Sequence, residues 1–250
     1  AYAGRQPFFD YPRILGHELA VEVLWAPRES ALLPGNMCAV EPYLTCGECS
    51  ACLADRSNCC EHMQVLGVHV DGGMAPIMNI PSKLLHQSSI LSLDQLALVE
   101  TLGIGAHAVA RADLHGDERV LVVGAGPIGL AVTQFAVLTG TEVHVLEISE
   151  ARREFVSRFG ADARDNIGDS KYDVVFDATG NQNAMQKSFA FLEQGAKLIF
   201  AGFIQGEITF DDTEFHRREV TLMSSRNSTN QFPRIIELIE SGRVDTSPWI

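Results

Sequence analysis

The apolar positions of the chain change rhythm near residue 104. Before it they come in short alternating runs punctuated by Gly and Pro, such as Leu19-Ala-Val-Glu-Val-Leu and Met37-Cys-Ala-Val. Such runs predict a compact β-rich unit, with little helical signal before Leu93. Beyond it, β-branched runs alternate with longer helical ones. Strands are expected at 119–123, 142–146, 172–177, 197–201 and 220–224, and helices at 127–139, 150–159 and 183–192. Strands alternating with helices imply right-handed βαβ crossovers and a parallel, doubly wound sheet. The fold class is therefore α/β, with a β-rich domain over 1–104 and a parallel-sheet domain from 105.

Composition narrows the possible partners. Of 250 residues, 46% are hydrophobic and 20% charged, which suits a globular chain with an ordinary core. Lys and Arg number 19 against 32 Asp and Glu, a net charge of −13. An acidic surface repels nucleic-acid phosphates and anionic lipid, and the basic residues are scattered, so neither is an expected partner. Apolar stretches are broken by Gly or charge before roughly 18 residues, so no membrane span is expected. The start, Ala-Tyr-Ala-Gly, carries neither a basic nor an apolar leader pattern, so a signal peptide is expected to be absent or removed.

Four of six cysteines fall in one short segment, Cys46-x2-Cys49-x2-Cys52-x7-Cys60. A chain with this much core needs no disulfide framework. Cysteines three apart in a loop can turn their thiolates toward one centre, and four thiolates close a tetrahedral structural zinc site. Cys59 competes with Cys60 for the fourth place, and Cys60 is preferred. Cys38 reads as a small core hydrophobe.

The run Arg119-Val-Leu-Val-Val enters Gly124-Ala-Gly126-Pro127-Ile128-Gly129, a strand leading directly into a glycine-rich turn and a helix. Gly124 suits the tight turn, Gly126 admits a pyrophosphate to backbone N–H groups, and Gly129 lets the helix pack on the strand. Glu147 ends the next strand, 23 residues after Gly124, where an acid can accept the ribose hydroxyls of NAD and repel a 2′-phosphate. Arg152 could soften that choice by pairing with a phosphate, or could be a surface residue. Ligands of such sheets lie beyond the C-terminal strand ends. The turns 177–180 and 201–203, with Thr179 and Phe203, are thus expected to contact the cofactor. Asp177 is read evenly as a contact or a cap.

The order Gly16-His17-Glu18, the cysteine set, an acid in an apolar helix and then the glycine fingerprint resembles the zinc-containing medium-chain alcohol dehydrogenases over nearly the whole chain. Tyr11-Pro-Arg-Ile-Leu-Gly-His-Glu, Val65-Leu-Gly-Val-His-Val-Asp-Gly-Gly, Leu98-Val-Glu-Thr-Leu and Ser225-Arg-Asn are most similar to the polyol and sugar-acid branch. The resemblance implies a GroES-like catalytic domain over 1–104, a Rossmann NAD domain over 105–231 and a return to the first from 232 to 250. It supports Cys60 in the structural set.

It further implies a catalytic zinc on His17, with Glu100 preceding the crossover helix as a second ligand and Glu18 as a direct, water-bridged or exchanging one. The zinc would activate a secondary hydroxyl of a polyol or sugar acid while hydride passes to NAD. Arg226 falls where relatives place an arginine near substrate and subunit contacts. Phe8, Phe9 and His69 are read as pocket or core residues. Relatives carry a further zinc-ligating Cys upstream of the segment matching Tyr2, so the chain is expected to be part of a longer one. A cytoplasmic homodimer or homotetramer is implied. The alternatives are a zinc-free quinone reductase, which generally lacks these motifs, and a non-catalytic NAD-binding regulator without the catalytic zinc.

Overall fold

A computed structural model describes residues 11–250, and Phe8 and Phe9 lie outside the described residues. The chain divides into two compact units. One comprises the described residues to Glu100 together with Thr229–Ile250, and the other Thr101–Ser228.

The first unit is built on a three-stranded antiparallel sheet. Strand β1 (Leu19–Glu22) pairs with β2 (Met37–Val40), Leu19 opposite Val40. Cys38, Ala39 and Val40 are wholly buried, so Cys38 is the core residue expected. Strands β3 (Tyr43–Leu44) and β4 (Gln64–Val65) pair antiparallel and close a loop that holds the cysteine segment. Within that loop Ser50–Leu53 forms one helical turn, α1, which the alternation of the sequence did not reveal. Strand β5 (Leu85–Ser88) pairs with β2 and completes the sheet order β1-β2-β5.

Helix α2 (Leu93–Ala112) carries the chain from the first unit into the second. It begins with a reciprocal cap: the Gln95 amide donates to Ser92 Oγ at 3.2 Å, and the Ser92 amide donates to Gln95 Oε1 at 3.1 Å. Two otherwise orphaned donors are thereby satisfied. The helix is buried nearly all round from Val99 to Val109, as expected where an apolar helix has protein on every side.

The second unit is a six-stranded parallel sheet made of β6 (Arg119–Val123), β7 (Glu142–Leu146), β8 (Asp162–Arg164), β9 (Tyr172–Asp177), β10 (Leu192–Phe200) and β11 (Thr221–Ser224). The order β11-β10-β9-β6-β7-β8 is the doubly wound arrangement of a dinucleotide-binding fold. Helices α3 (Pro127–Val137), α4 (Glu150–Val156), α5 (Gln182–Ser188) and α6 (Asp212–Arg217) connect the strands. Leu121, Val123, Val175, Leu192 and Leu198 form one face of its core.

Two corrections concern elements too short or irregular to leave a period. Strand β8, at a sheet edge, was not foreseen, and β10 begins at Leu192, with a register shift before Lys197. The chain then returns to the first unit as α7 (Phe232–Glu240), whose Glu240 accepts from Ser88 Oγ at 2.6 Å. Gln95 Nε2 donates to Thr246 Oγ1 at 3.0 Å and ties down the segment that follows. Among the described residues no helix is long and apolar enough to cross a membrane.

Candidate metal and cofactor sites

Each of the three sites is assembled by turns whose local geometry leaves little freedom. In the cysteine loop, the sulfurs of Cys46, Cys49, Cys52 and Cys60 lie within 4.8 Å of one another. Cys60 to Cys46 is 3.5 Å and Cys46 to Cys52 is 4.0 Å. Four thiolates on a zinc at about 2.3 Å would stand about 3.8 Å apart, so the spacing fits a tetrahedral ion. The amides of Cys46 and Cys49 point at sulfur, each at 3.4 Å, as donors to thiolates. Amides from Cys52 and Glu61 pull the Cys49 thiol down to about 6, whereas desolvation pushes Cys52 up to about 12. Four sulfurs packed this closely cannot all ionise without a cation among them. Cys59 lies outside the cluster.

The second cluster gathers His17, Glu18 and Glu100, whose ligating atoms also lie within 4.8 Å of one another. His17 and Glu18 occupy the loop that enters β1. That loop is clamped by the 66–74 segment. The Gly72 amide donates to the Ile14 carbonyl, Gly73 to Gly16 and Met74 to Leu15, at 2.8, 3.0 and 2.9 Å. Asp71 accepts the Ile14 amide and pairs with Arg13 at 3.3 Å. A Cβ on Gly72 would come within 2.1 Å of the Gly16 carbonyl oxygen, so only glycine allows this approach. The backbone preceding His17 is thus set by two crossing segments of the chain.

Glu100 sits inside α2 rather than ahead of it, which corrects the expectation that it precedes the crossover helix. Glu100 is 6% exposed, and among the described residues its one hydrogen-bond donor is the Tyr43 hydroxyl, at 2.6 Å. No Lys or Arg pairs with it there. Burial raises its pKa to about 7, a rise that the Tyr43 bond opposes and the Glu18 charge reinforces. A buried carboxylate with one neutral donor and a like charge nearby has no internal compensation. A divalent cation held by His17, Glu18 and Glu100 would supply it, and the imidazole and carboxylate donors suit zinc.

The third site lies at the C-terminal ends of β6, β7, β9 and β10. Gly124 turns with φ +94°, and a Cβ on Gly129 would meet the Gly124 carbonyl oxygen at 1.9 Å. Helix α3 therefore packs directly against the turn. A Cβ on Gly126 would meet nothing within 4 Å, so this N-cap faces open space beside the unpaired amides of the helix, with Pro127 in its first turn. That is a fitting cradle for a pyrophosphate. Ile128 follows on the same helix.

Glu147 is 6% exposed and is not the solvated acid that a strand end commonly carries. Its Oε2 accepts the Ala125 amide at 2.8 Å and its Oε1 accepts the Ser149 amide at 2.9 Å. It braces the glycine turn from the neighbouring strand, and each oxygen keeps a lone pair for a further donor. Arg152 reaches Glu147 at 3.8 Å with an exposed side chain.

Across the sheet, Asp177 is fully buried. Its Oδ1 accepts from the amide and hydroxyl of Thr179, at 3.0 and 2.7 Å, and its Oδ2 accepts from Ser188 Oγ at 2.8 Å. Asp177 thus orders the turn, and Asn181 caps α5. Thr179 is the neighbour that a Cβ on Gly124 would meet, at 3.1 Å, and Phe203 is 60% exposed beyond β10. Arg226, also exposed, follows β11 in the second unit. His69 Nδ1 accepts the Val65 amide at 3.0 Å and closes its own turn.

Residues 127–241 match the zinc-binding dehydrogenase family, and residues 1–90 match the alcohol dehydrogenase GroES-like domain. The L-galactonate-5-dehydrogenase of Escherichia coli K12 is 40% identical over 98% of this chain and 76% of that protein. The chain belongs to the zinc-binding alcohol dehydrogenases. Among solved structures, a protein of Sinorhizobium meliloti 1021 assigned to the zinc-binding dehydrogenases and bound to NADP is 25% identical, with a TM-score of 0.89 over 95% of this chain and 75% of that one. A short chain alcohol dehydrogenase of Escherichia coli CFT073 complexed with NADH is 25% identical, with a TM-score of 0.88 over 96% and 75%.

In this dehydrogenase, Tyr43, Ser149 and the clamp by Gly72 and Asp71 leave no motif in the sequence, and neither does Gly67, whose added Cβ would lie 2.5 Å from the Gly16 carbonyl oxygen. Tyr43 shares no motif with Glu100, 57 positions away, and only the fold brings them into contact. The Val65-to-Gly73 stretch resembles the family in sequence, and its Gly67 and Gly72 are explained by the close approach to Gly16.

Proposed function

We propose that the protein oxidises a secondary alcohol of a polyol or sugar acid to the ketone, transferring hydride to NAD. The observation that carries this reading is the buried, uncompensated Glu100 carboxyl gathered with His17 and Glu18. The sugar-acid class is supported by the name of the 40% identical relative, an L-galactonate-5-dehydrogenase.

His17, Glu18 and Glu100 would hold a zinc whose Lewis acidity favours deprotonation of the alcohol. Cys46, Cys49, Cys52 and Cys60 would hold a second zinc that closes the loop and leaves no open position. Gly124, Gly126, Pro127, Ile128 and Gly129 would seat the pyrophosphate on the start of α3, with Thr179 and Phe203 beside it. Glu147 would accept the adenosine ribose hydroxyls, so NAD is favoured where a 2′-phosphate meets its charge. The two electrons leave the substrate carbon with the hydride, and the hydroxyl proton passes to solvent. A domain arrangement of 1–104, 105–231 and 232–250, a role for Arg226 at substrate, and assembly as a homodimer or homotetramer belong to the same reading. A regulator without catalytic metal is disfavoured, because three ligating side chains converge where it needs none.

The test counts zinc and screens substrates. The full-length protein is expected to bind two zincs per chain and to reduce NAD with aldonates or polyols. One zinc per chain, unchanged in Glu100→Ala, would remove the catalytic assignment.

A further inference from the structure

Tyr43 joins the two groups of candidate metal ligands in the first unit. Its hydroxyl donates to Glu100 Oε1 at 2.6 Å, and its ring, 3% exposed, packs with Cys60 and Met63 against Cys46, Cys49 and Cys52. It lies in β3, whose pairing with β4, Tyr43 opposite Val65, forms the base of the cysteine loop. The loop's own closure, the sulfur cluster and the acid it bonds all act on its position.

We propose that Tyr43 is a positioning residue through which the cysteine loop holds the Glu100 carboxylate in place for the second metal. The inference rests on the reading of His17, Glu18 and Glu100 as a zinc site. With the hydroxyl on Oε1, the other oxygen of Glu100 is left to face the cation, so Tyr43 selects which oxygen ligates and fixes its plane. The bond is made inside a buried site where Glu100 has no other donor among the described residues, so solvent does not replace it readily. The cysteine loop then has a task beyond its own stability: its metal anchors the ring whose hydroxyl orients a ligand of the other metal.

The decisive variant is Tyr43→Phe, which keeps the ring that packs on Cys60 and removes only the hydroxyl. Partners of metal ligands typically contribute 10- to 100-fold in metal affinity. The experiment titrates cobalt into the metal-depleted full-length protein and follows both the thiolate-to-cobalt charge-transfer band of the cysteine site and the ligand-field spectrum of the second site. In Tyr43→Phe the charge-transfer band should be unchanged, which also reports an intact fold, while the second site binds roughly 10- to 100-fold more weakly with a shifted ligand-field spectrum. In a Glu100→Ala background, Tyr43→Phe should have no further effect on that affinity. Wild-type protein taking up two cobalt ions, with Tyr43→Phe matching it in affinity and spectrum, overturns the Tyr43 inference alone. Wild-type protein taking up only the thiolate-bound ion overturns the underlying zinc-site reading and this inference together. Loss of the charge-transfer band in Tyr43→Phe would show the hydroxyl to be needed for the loop itself, and would also overturn the inference.

Discussion

Glu147 is the place where scaffold and specificity can be separated by measurement. Its two oxygens accept one amide each, from Ala125 at 2.8 Å and Ser149 at 2.9 Å, within a site 6% exposed. In Glu147→Gln the side chain keeps its shape but offers one accepting oxygen to two donors, so one buried N–H loses its partner. Leaving such a donor unsatisfied costs about 1–3 kcal/mol. For a chain of this size about 2–4 °C is lost per kcal/mol, so a fall in Tm of about 2–12 °C is expected. Glu147→Ala removes two bonds to a charged acceptor, at about 1.5–3 kcal/mol each, and should cost roughly 3–6 kcal/mol. Thermal melting followed by far-UV circular dichroism checks both. Calorimetric titration with NAD and NADP then divides the roles: loosening of the Gly124 turn weakens both dinucleotides alike, whereas loss of the ribose acceptor changes their ratio. If Glu147→Gln melts within 1 °C of wild type, the bracing role is wrong. If the NAD-to-NADP affinity ratio is unchanged in Glu147→Ala, the ribose role is wrong.

Other expectations follow from single contacts. Cys60→Ser should release the thiolate-bound zinc and lower the melting temperature, whereas Cys59→Ser should keep full zinc content; equal zinc loss in the two would contradict the Cys46-Cys49-Cys52-Cys60 set. Gly72→Ala places a Cβ 2.1 Å from the Gly16 carbonyl oxygen and should displace the His17 loop. It is expected to weaken cobalt binding at the second site while sparing the thiolate band, and wild-type affinity there would refute the clamp. His144, 6% exposed, accepts or donates at Tyr172 (2.9 Å), and its pKa is lowered by desolvation and then by Arg164. Because the unfolded chain takes up the proton first, stability should fall as pH drops through about 6.5 and level off below the depressed folded value. His144→Gln should flatten that fall, and denaturant melts at pH 7.5 and 5.5 showing wild-type dependence would count against it.

The parallel-sheet unit was legible because its signals are local. A strand, a glycine turn and a helix in series leave their period in 119–137, and strand 172–177 was read to the residue. The cysteine set was equally legible, since its spacing is a property of one loop. Strand β8 and helix α6 were not, being too short for periodicity to show. The distance of Glu147 from Gly124 is legible in the sequence, yet its bond to Ala125 is not, because only the parallel pairing of β6 with β7 brings the two together.

By itself, the sequence determined which residue types could bind metal and nucleotide, and the order in which the chain presents them. Tertiary structure alone decided that Glu100 is buried within α2, that Tyr43 is its donor, and that Gly67 and Gly72 press on the backbone at Gly16. The division has one physical cause. Turn and period signals arise from neighbours along the chain, whereas desolvation of a carboxyl and the close approach of two backbones depend on segments that meet only after folding.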